Sequence, residues 1–139
     1  EFLHWFFNAS DIQPVWLCPI RLRDGVEELV GTGDLASNSS DPWPLYPLRP
    51  GQTWVNVGFW SGVEGDHVDP SAPNNGAFNR VIESKVNELG GHKSLYSEAF
   101  YSREKFEELY GGNLPATIKA VTDPDDRFPG LYEKTVDEA

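Results

Sequence analysis

In the stretch Leu95 to Phe100, Tyr96, Glu98 and Phe100 alternate with Leu95, Ser97 and Ala99. An extended backbone would therefore present a phenol, a carboxylate and a ring on one face. A carboxylate beside an aromatic in a dry cleft can be tuned for proton transfer, and a phenol can orient a substrate. Tyr101 and Arg103 follow at the turn into a helix, where a guanidinium can neutralise developing negative charge. Each has a plainer reading. Tyr96 and Glu98 also suit an ordinary half-exposed strand, and Arg103 a solvated first helical turn. A second group, Trp16, Trp54, Asn56 and Trp60, offers flat apolar faces and one amide for recognising a ligand.

Other titratable groups point away from chemistry. Cys18, between Leu17 and Pro19, reads as a small buried hydrophobe rather than a nucleophile. His4, His67 and His92 have no metal-ligand spacing, and Asp66, His67 and Asp69 read as a polar loop tip, so no metal is expected. The run Asp123, Asp125, Asp126 lacks the layout and final Glu of a calcium loop. Gly31-Thr32-Gly33 is not followed by a third spaced glycine and a helical pattern, so the dinucleotide fingerprint is not met.

The elements that must hold these residues can be read from periodicity. Phe2 to Phe7 reads as the end of an amphipathic helix closing near Asn8. Val15 to Ile20 and Thr53 to Trp60 alternate as strands, with Val55, Val57 and Phe59 on one face and Trp54, Asn56, Gly58 and Trp60 on the other. Between them, Asp24 to Gly51 is rich in Gly, Ser, Asp and Pro and reads as a long irregular excursion. Ser61 to Pro73 is a polar loop. A helix opening at Asn75 carries the stripe Phe78, Val81, Ile82, Val86, Leu89 and ends at Gly90-Gly91. Lys93 to Phe100 is expected as a strand, without periodicity fixing which face meets a site. Ser102 caps a helix burying Phe106, Leu109 and Tyr110 and ending at Gly111-Gly112. Leu114 to Val121 adds a further helical turn, and 122–139 is expected as an extended C-terminal tail docking through Phe128, Leu131 and Tyr132. The sum is one α+β domain over 1–139, a small, mostly antiparallel sheet with helices packed on one face, as in a ferredoxin-like cap.

With 11 basic and 22 acidic residues the formal charge is −11, which disfavours nucleic-acid and anionic-membrane partners. No apolar run approaches the roughly 20 residues that span a bilayer. A single cysteine excludes an internal disulfide and suits a reducing cytoplasm, with membrane association of a full-length protein left open. Thirteen per cent aromatics and no methionine make any cavity stiff-walled.

Two segments carry a resemblance. LYSEAFYSREKFEELY, 95–110, resembles the C-terminal region of FAD-linked oxidoreductases related to 24-dehydrocholesterol reductase, of the vanillyl-alcohol oxidase type. DIQPVWLCP, 11–19, is similar to the segment with which the cap of those proteins enters its sheet. The resemblance implies a fragment of a larger flavoprotein, a C-terminal substrate cap over a flavin. FAD would be held mainly by a separate N-terminal domain, the cap's principal partner. The cap would position a small apolar, sterol-like or alcohol substrate for hydride transfer, and the isolated fragment would be inactive. Under it, Tyr96, Glu98, Tyr101 and Arg103 are the catalytic candidates and Trp16, Trp54, Asn56 and Trp60 the substrate-binding ones. Two readings without redox chemistry stay open, a stand-alone Trp-rich binding module and a dimerisation domain; a homo-oligomer fits either.

Overall fold

Two segments whose side chains alternate, each of seven residues, form the sheet. β1 (Val15–Arg21) pairs antiparallel with β2 (Thr53–Phe59) in the register Val15 with Phe59, Cys18 with Asn56 and Arg21 with Thr53. The structure, a computed structural model, describes residues 1–21, 48, 51–61 and 76–137. Most of the expected excursion at 24–51, the loop at 62–73, Gly31 to Gly33, and Asp66, His67 and Asp69 lie outside the described residues. Within them the chain is an α+β domain with a small antiparallel sheet.

Before the sheet, α1 (Phe2–Ala9) is closed by Ser10, whose backbone N–H and hydroxyl both donate to the Phe6 carbonyl. That satisfies a helix-end acceptor and orients Phe6, which is fully buried and stacks on Phe59 at 4.6 Å between ring centroids. The expected Val55, Val57, Phe59 face thus meets a helix at its Phe59 end. On the other face, Trp16 lies over Gly58, where a Cβ would overlap the indole.

Helix α2 (Ala77–Glu88) begins at Gly76 and ends as its glycine pair predicts. Gly90 has φ +72° and donates to the Asn87 carbonyl, and Gly91 donates to Val86, the paired bonds of a left-handed helix stop. Of the expected stripe, Phe78 is buried and Ile82, Val86 and Leu89 are half-buried, whereas Val81 is half exposed; Glu83, outside the stripe, is buried. Helix α3 (Arg103–Leu109) starts at Ser102, whose hydroxyl accepts from the Lys105 N–H, and ends with Gly112 donating to Glu107. Helix α4 (Leu114–Thr122) follows, as expected. Ala99, Tyr101, Phe106 and Tyr110 form the main core, with Leu95, Leu109, Tyr132 and Val136 packed around it.

Two expectations fail. Residues 93–100 are not a strand, since 95–97 make a turn and the rest is extended without a ladder. The reason is that side chains and the C-terminal turn have taken the hydrogen bonds a neighbouring strand would need. The Phe100 N–H donates to both oxygens of Glu83, at 3.1 and 3.2 Å, and the Phe100 carbonyl accepts from Arg80. Tyr110 donates to the Lys93 carbonyl, Lys93 Nζ to the Glu98 carbonyl, and the Ala99 N–H to the Thr135 carbonyl. The tail is also not wholly extended: it becomes helical from Leu131 and widens into a π-helical turn over Glu133–Asp137. Tyr132 docks as expected, whereas Phe128 is 70% exposed.

Gly76 has φ +66°, and a Cβ there would enter the Phe100 ring; Gly90, at φ +72°, faces open space. Both Gly→Ala changes incur the left-handed strain of about 1–2 kcal/mol, and only Gly76→Ala must also displace Phe100. Thermal unfolding should therefore show a loss of roughly 3–5 °C per kcal/mol, larger for Gly76→Ala than for Gly90→Ala. Equal losses would mean that Phe100 does not pack on Gly76.

Candidate functional site

The expected alternation holds only from Glu98 to Tyr101, since Tyr96, Ser97 and Glu98 are all exposed, and burial sorts the candidates by depth. Ala99 is 1% and Tyr101 7% exposed, while Tyr96 is 69% exposed and Glu98 also faces solvent. Tyr101 is therefore a core ring, 6.1 Å from Tyr110, and Tyr96 and Glu98 belong to an outward-facing turn. What holds that turn is Glu83. This carboxylate, 4% exposed, takes the Lys93 ammonium at 2.8 Å as well as the Phe100 N–H. Arg80 and Lys93 also lie over the Phe100 ring, at 4.9 and 5.6 Å from its centroid, an arrangement that favours cations on the negative face of the ring.

Arg103 is only half exposed, and its guanidinium is engaged. It donates to Glu133 Oε1 at 2.6 Å and lies 4.2 Å over the Tyr132 ring. Tyr132 in turn packs edge-on against Phe106 and donates to the Tyr101 carbonyl at 3.3 Å. The structure thus joins Tyr101 and Arg103 through the C-terminal turn, as parts of one latch. The Arg103 guanidinium holds the Glu133 carboxyl below the usual carboxylate range.

The same logic recurs at the end of α4. The Asp123 carboxyl is lowered by the backbone N–H of Arg127, then by the Lys119 ammonium and the N–H of Phe128. The Lys119 ammonium is raised by Asp126 and Asp123.

Trp16, Trp54 and Asn56 share a sheet face, with Trp16 opposite Gly58 and Trp54 opposite Ile20. Trp16 is 43% exposed, and Trp54 is half-buried beside the His92 ring, 6.0 Å between centroids. Trp60 lies past the end of β2 and is 86% exposed. Cys18, expected to be buried, is exposed on this face, because nothing among the described residues covers β1. A shallow depression of about 410 Å³ is lined by Trp5, Arg80, Val81, Ser84, Lys85 and Glu88. None of the sequence-predicted site residues lines it. Arg80 is engaged with Phe100 and Lys85 with Glu88, so these cations are already used in packing the protein.

The glycine pairs Gly90-Gly91 and Gly111-Gly112 direct N–H groups of Gly90, Gly91 and Gly112 back to helix carbonyls, leaving those groups unavailable to a pyrophosphate. Among the described residues there is no cluster of three or more metal-ligating side chains, and no helix is long and apolar enough to cross a membrane.

Sequence reasoning missed Glu83, Lys93 and Glu133. Glu83 and Lys93 are ten residues apart on different elements, and Arg103 and Glu133 are thirty apart. The one available signal was that Glu83 flanks the apolar stripe, beside Ile82 and one turn before Val86.

Comparison with known proteins finds a resemblance at low identity along nearly the whole chain. It is 24% identical over 133 residues, 95% of its length, to the Delta(24)-sterol reductase of Homo sapiens. The rat enzyme of the same name is 25% identical over 132 residues, and a Delta(24)-sterol reductase homolog of Caenorhabditis elegans 25% over 138. The chain spans 22% of the length of each. No family model and no solved structure matches.

The latch has a defined pH dependence. Glu133 is depressed in the folded state, so its contribution is complete above the unfolded value of about 4.5 and is lost as pH falls through the lower folded value. Both partners are partly exposed, 52% and 40%, so Glu133→Gln should cost no more than about 1 kcal/mol at neutral pH. That deficit should shrink toward zero in acid and in high salt. Urea unfolding of both proteins, from pH 7 downward and with added salt, checks it, and a deficit that changes with neither pH nor salt would deny the ion pair its role.

Proposed function

We propose that this chain is the substrate-capping region of an FAD-dependent oxidoreductase that passes a hydride between flavin N5 and an apolar, sterol-like substrate, an alcohol being the alternative. The observation that carries this reading is the resemblance to Delta(24)-sterol reductases over 95% of the chain. Composition supports it: a chain without methionine, with 13% aromatic residues, builds stiff apolar surfaces suited to a flat, greasy substrate.

FAD would be bound by another part of the longer protein, since the glycine N–H groups described here are committed to helix ends. When bound, the flavin supplies the hydride chemistry. This chain's own share is to bind and orient the substrate and exclude water. Trp16, Trp54 and Asn56, on one face of the β1–β2 sheet, with Trp60 beyond it, are the proposed contacts. Tyr96 and Glu98 are the groups free to reach a substrate or hold a proton, because their side chains leave the core. Arg103 contributes through the latch: it fixes Tyr132 and, through it, the backbone at Tyr101.

Two measurements test the reading. The purified 139-residue chain should take up no stoichiometric FAD, and a yellow preparation with one flavin per chain would contradict the assignment of flavin binding elsewhere. In the longer protein, Trp16→Ala and Trp54→Ala should each raise KM for a sterol-like substrate about tenfold, the equivalent of about 1.4 kcal/mol. There, Glu98→Gln and Tyr96→Phe should slow single-turnover flavin reduction roughly 10²- to 10⁴-fold if either positions a proton. Unchanged rates and KM across all four variants would remove this face from the site.

A further inference from the structure

Two groups of candidate residues stand on different elements: Trp16, Trp54 and Asn56 on the sheet, Tyr96 and Glu98 on the outward-facing turn. His92 touches the first group, and its neighbour in sequence holds the second. The His92 ring packs on the Trp54 indole at 6.0 Å between centroids, tilted by 40°, a separation at which aromatic rings attract. Lys93, the next residue, donates from Nζ to the Glu98 carbonyl and to Glu83 Oε1.

The backbone gives His92 little latitude. On one side the Gly91 N–H is tied to the Val86 carbonyl at 2.8 Å, closing α2. On the other, the Lys93 carbonyl accepts from the Tyr110 hydroxyl at 2.6 Å, and the Lys93 ammonium is held by the buried Glu83 carboxylate at 2.8 Å. An imidazole between two anchored residues is a fixed support, and Trp54 is half-buried beside it, opposite Ile20. Trp16 is seated differently. Its indole occupies the place of a side chain at Gly58, so its seat belongs to the sheet, whereas the seat of Trp54 comes from the segment that follows α2.

We propose that His92 is a positioning residue: it seats the Trp54 indole against the braced segment after α2, so that an apolar substrate lying on Trp54 is held in a fixed relation to Tyr96 and Glu98. This rests on the substrate reading above and adds to it the residue that joins its two halves. His92 need neither touch the substrate nor exchange a proton, because a ring at this place suffices.

The longer protein, assayed with an unsaturated sterol as the probe substrate, tests this. His92→Ala should raise KM roughly 3- to 10-fold, the span of one aromatic pair. His92→Phe, which keeps a ring against Trp54, should bring KM back to within about twofold of wild type. Adding His92→Ala to Trp54→Ala should raise KM no further than Trp54→Ala alone does, because the support then has nothing to hold. A residue that merely supported the fold would lower the amount of active enzyme, and so kcat, and leave KM in place. If Trp54→Ala raises KM and His92→Ala does not, the positioning role is overturned and the substrate reading stands. Failure of His92→Phe to restore KM, or two effects that multiply in the double variant, would overturn it equally. An unchanged KM in Trp54→Ala would remove the substrate reading and this role together.

Discussion

A carboxylate taken out of water must have its oxygens occupied, and Glu83 meets that requirement only if 93–100 lies where it does. Its partners, the Lys93 ammonium and the Phe100 N–H, belong to the two ends of that segment. One side chain on α2 therefore fixes both. The phase of the segment follows. With the Phe100 N–H pinned to α2, Ala99 and Tyr101 turn into the core and Tyr96 and Glu98 turn outward. Replacing one member of such a pair typically costs about 3–5 kcal/mol because the other is left buried and uncompensated. Lys93 retains 19% side-chain exposure, which places it toward the lower end.

Local signals were legible in the sequence where the cause is local. Glycine pairs stop α2 and α3, Ser102 starts α3, and two-residue alternation sets β1 and β2, because each effect acts within a few residues of its source. The segment 93–100 shows where this logic ends. Its alternation separates inward from outward side chains at Glu98, Ala99 and Tyr101 but fails at Ser97, which is exposed in the turn. Whether an extended segment becomes a strand depends on who takes its backbone hydrogen bonds, however. Here the distant takers are Glu83, Arg80, Tyr110 and the Thr135 carbonyl, between seventeen and thirty-six positions away from the groups they bind. The tail failed similarly: Tyr132 was recognisable as an anchor, but its helical form depends on docking against residues 99–106.

The candidate site was legible as a set of residue types and not as an arrangement. Tyr101 and Arg103 looked like reactive groups because a phenol and a guanidinium are common ones. The structure commits Tyr101 to the core and Arg103 to Glu133 and Tyr132. Their likeness to chemistry came from composition, and their positions come from packing. The tryptophans behave differently. Trp16, Trp54 and Trp60 occupy or extend the sheet as periodicity requires, and nothing among the described residues covers Trp16 or Trp60, which are 43% and 86% exposed.

That contrast locates the functional burden of the molecule. The region from α2 to the C-terminal turn largely partners itself: its buried carboxylate is paired, and its cations at 80, 85, 103 and 119 are bound to neighbours. The sheet region does not. It stacks a single phenylalanine of α1 on Phe59 and leaves indoles, aliphatic side chains and a thiol open to water. A contiguous apolar patch left exposed commonly marks a surface that something later covers. Under the proposed function a flat substrate would cover the face that carries Trp16 and Trp54, while the opposite face already meets α1 through Phe59.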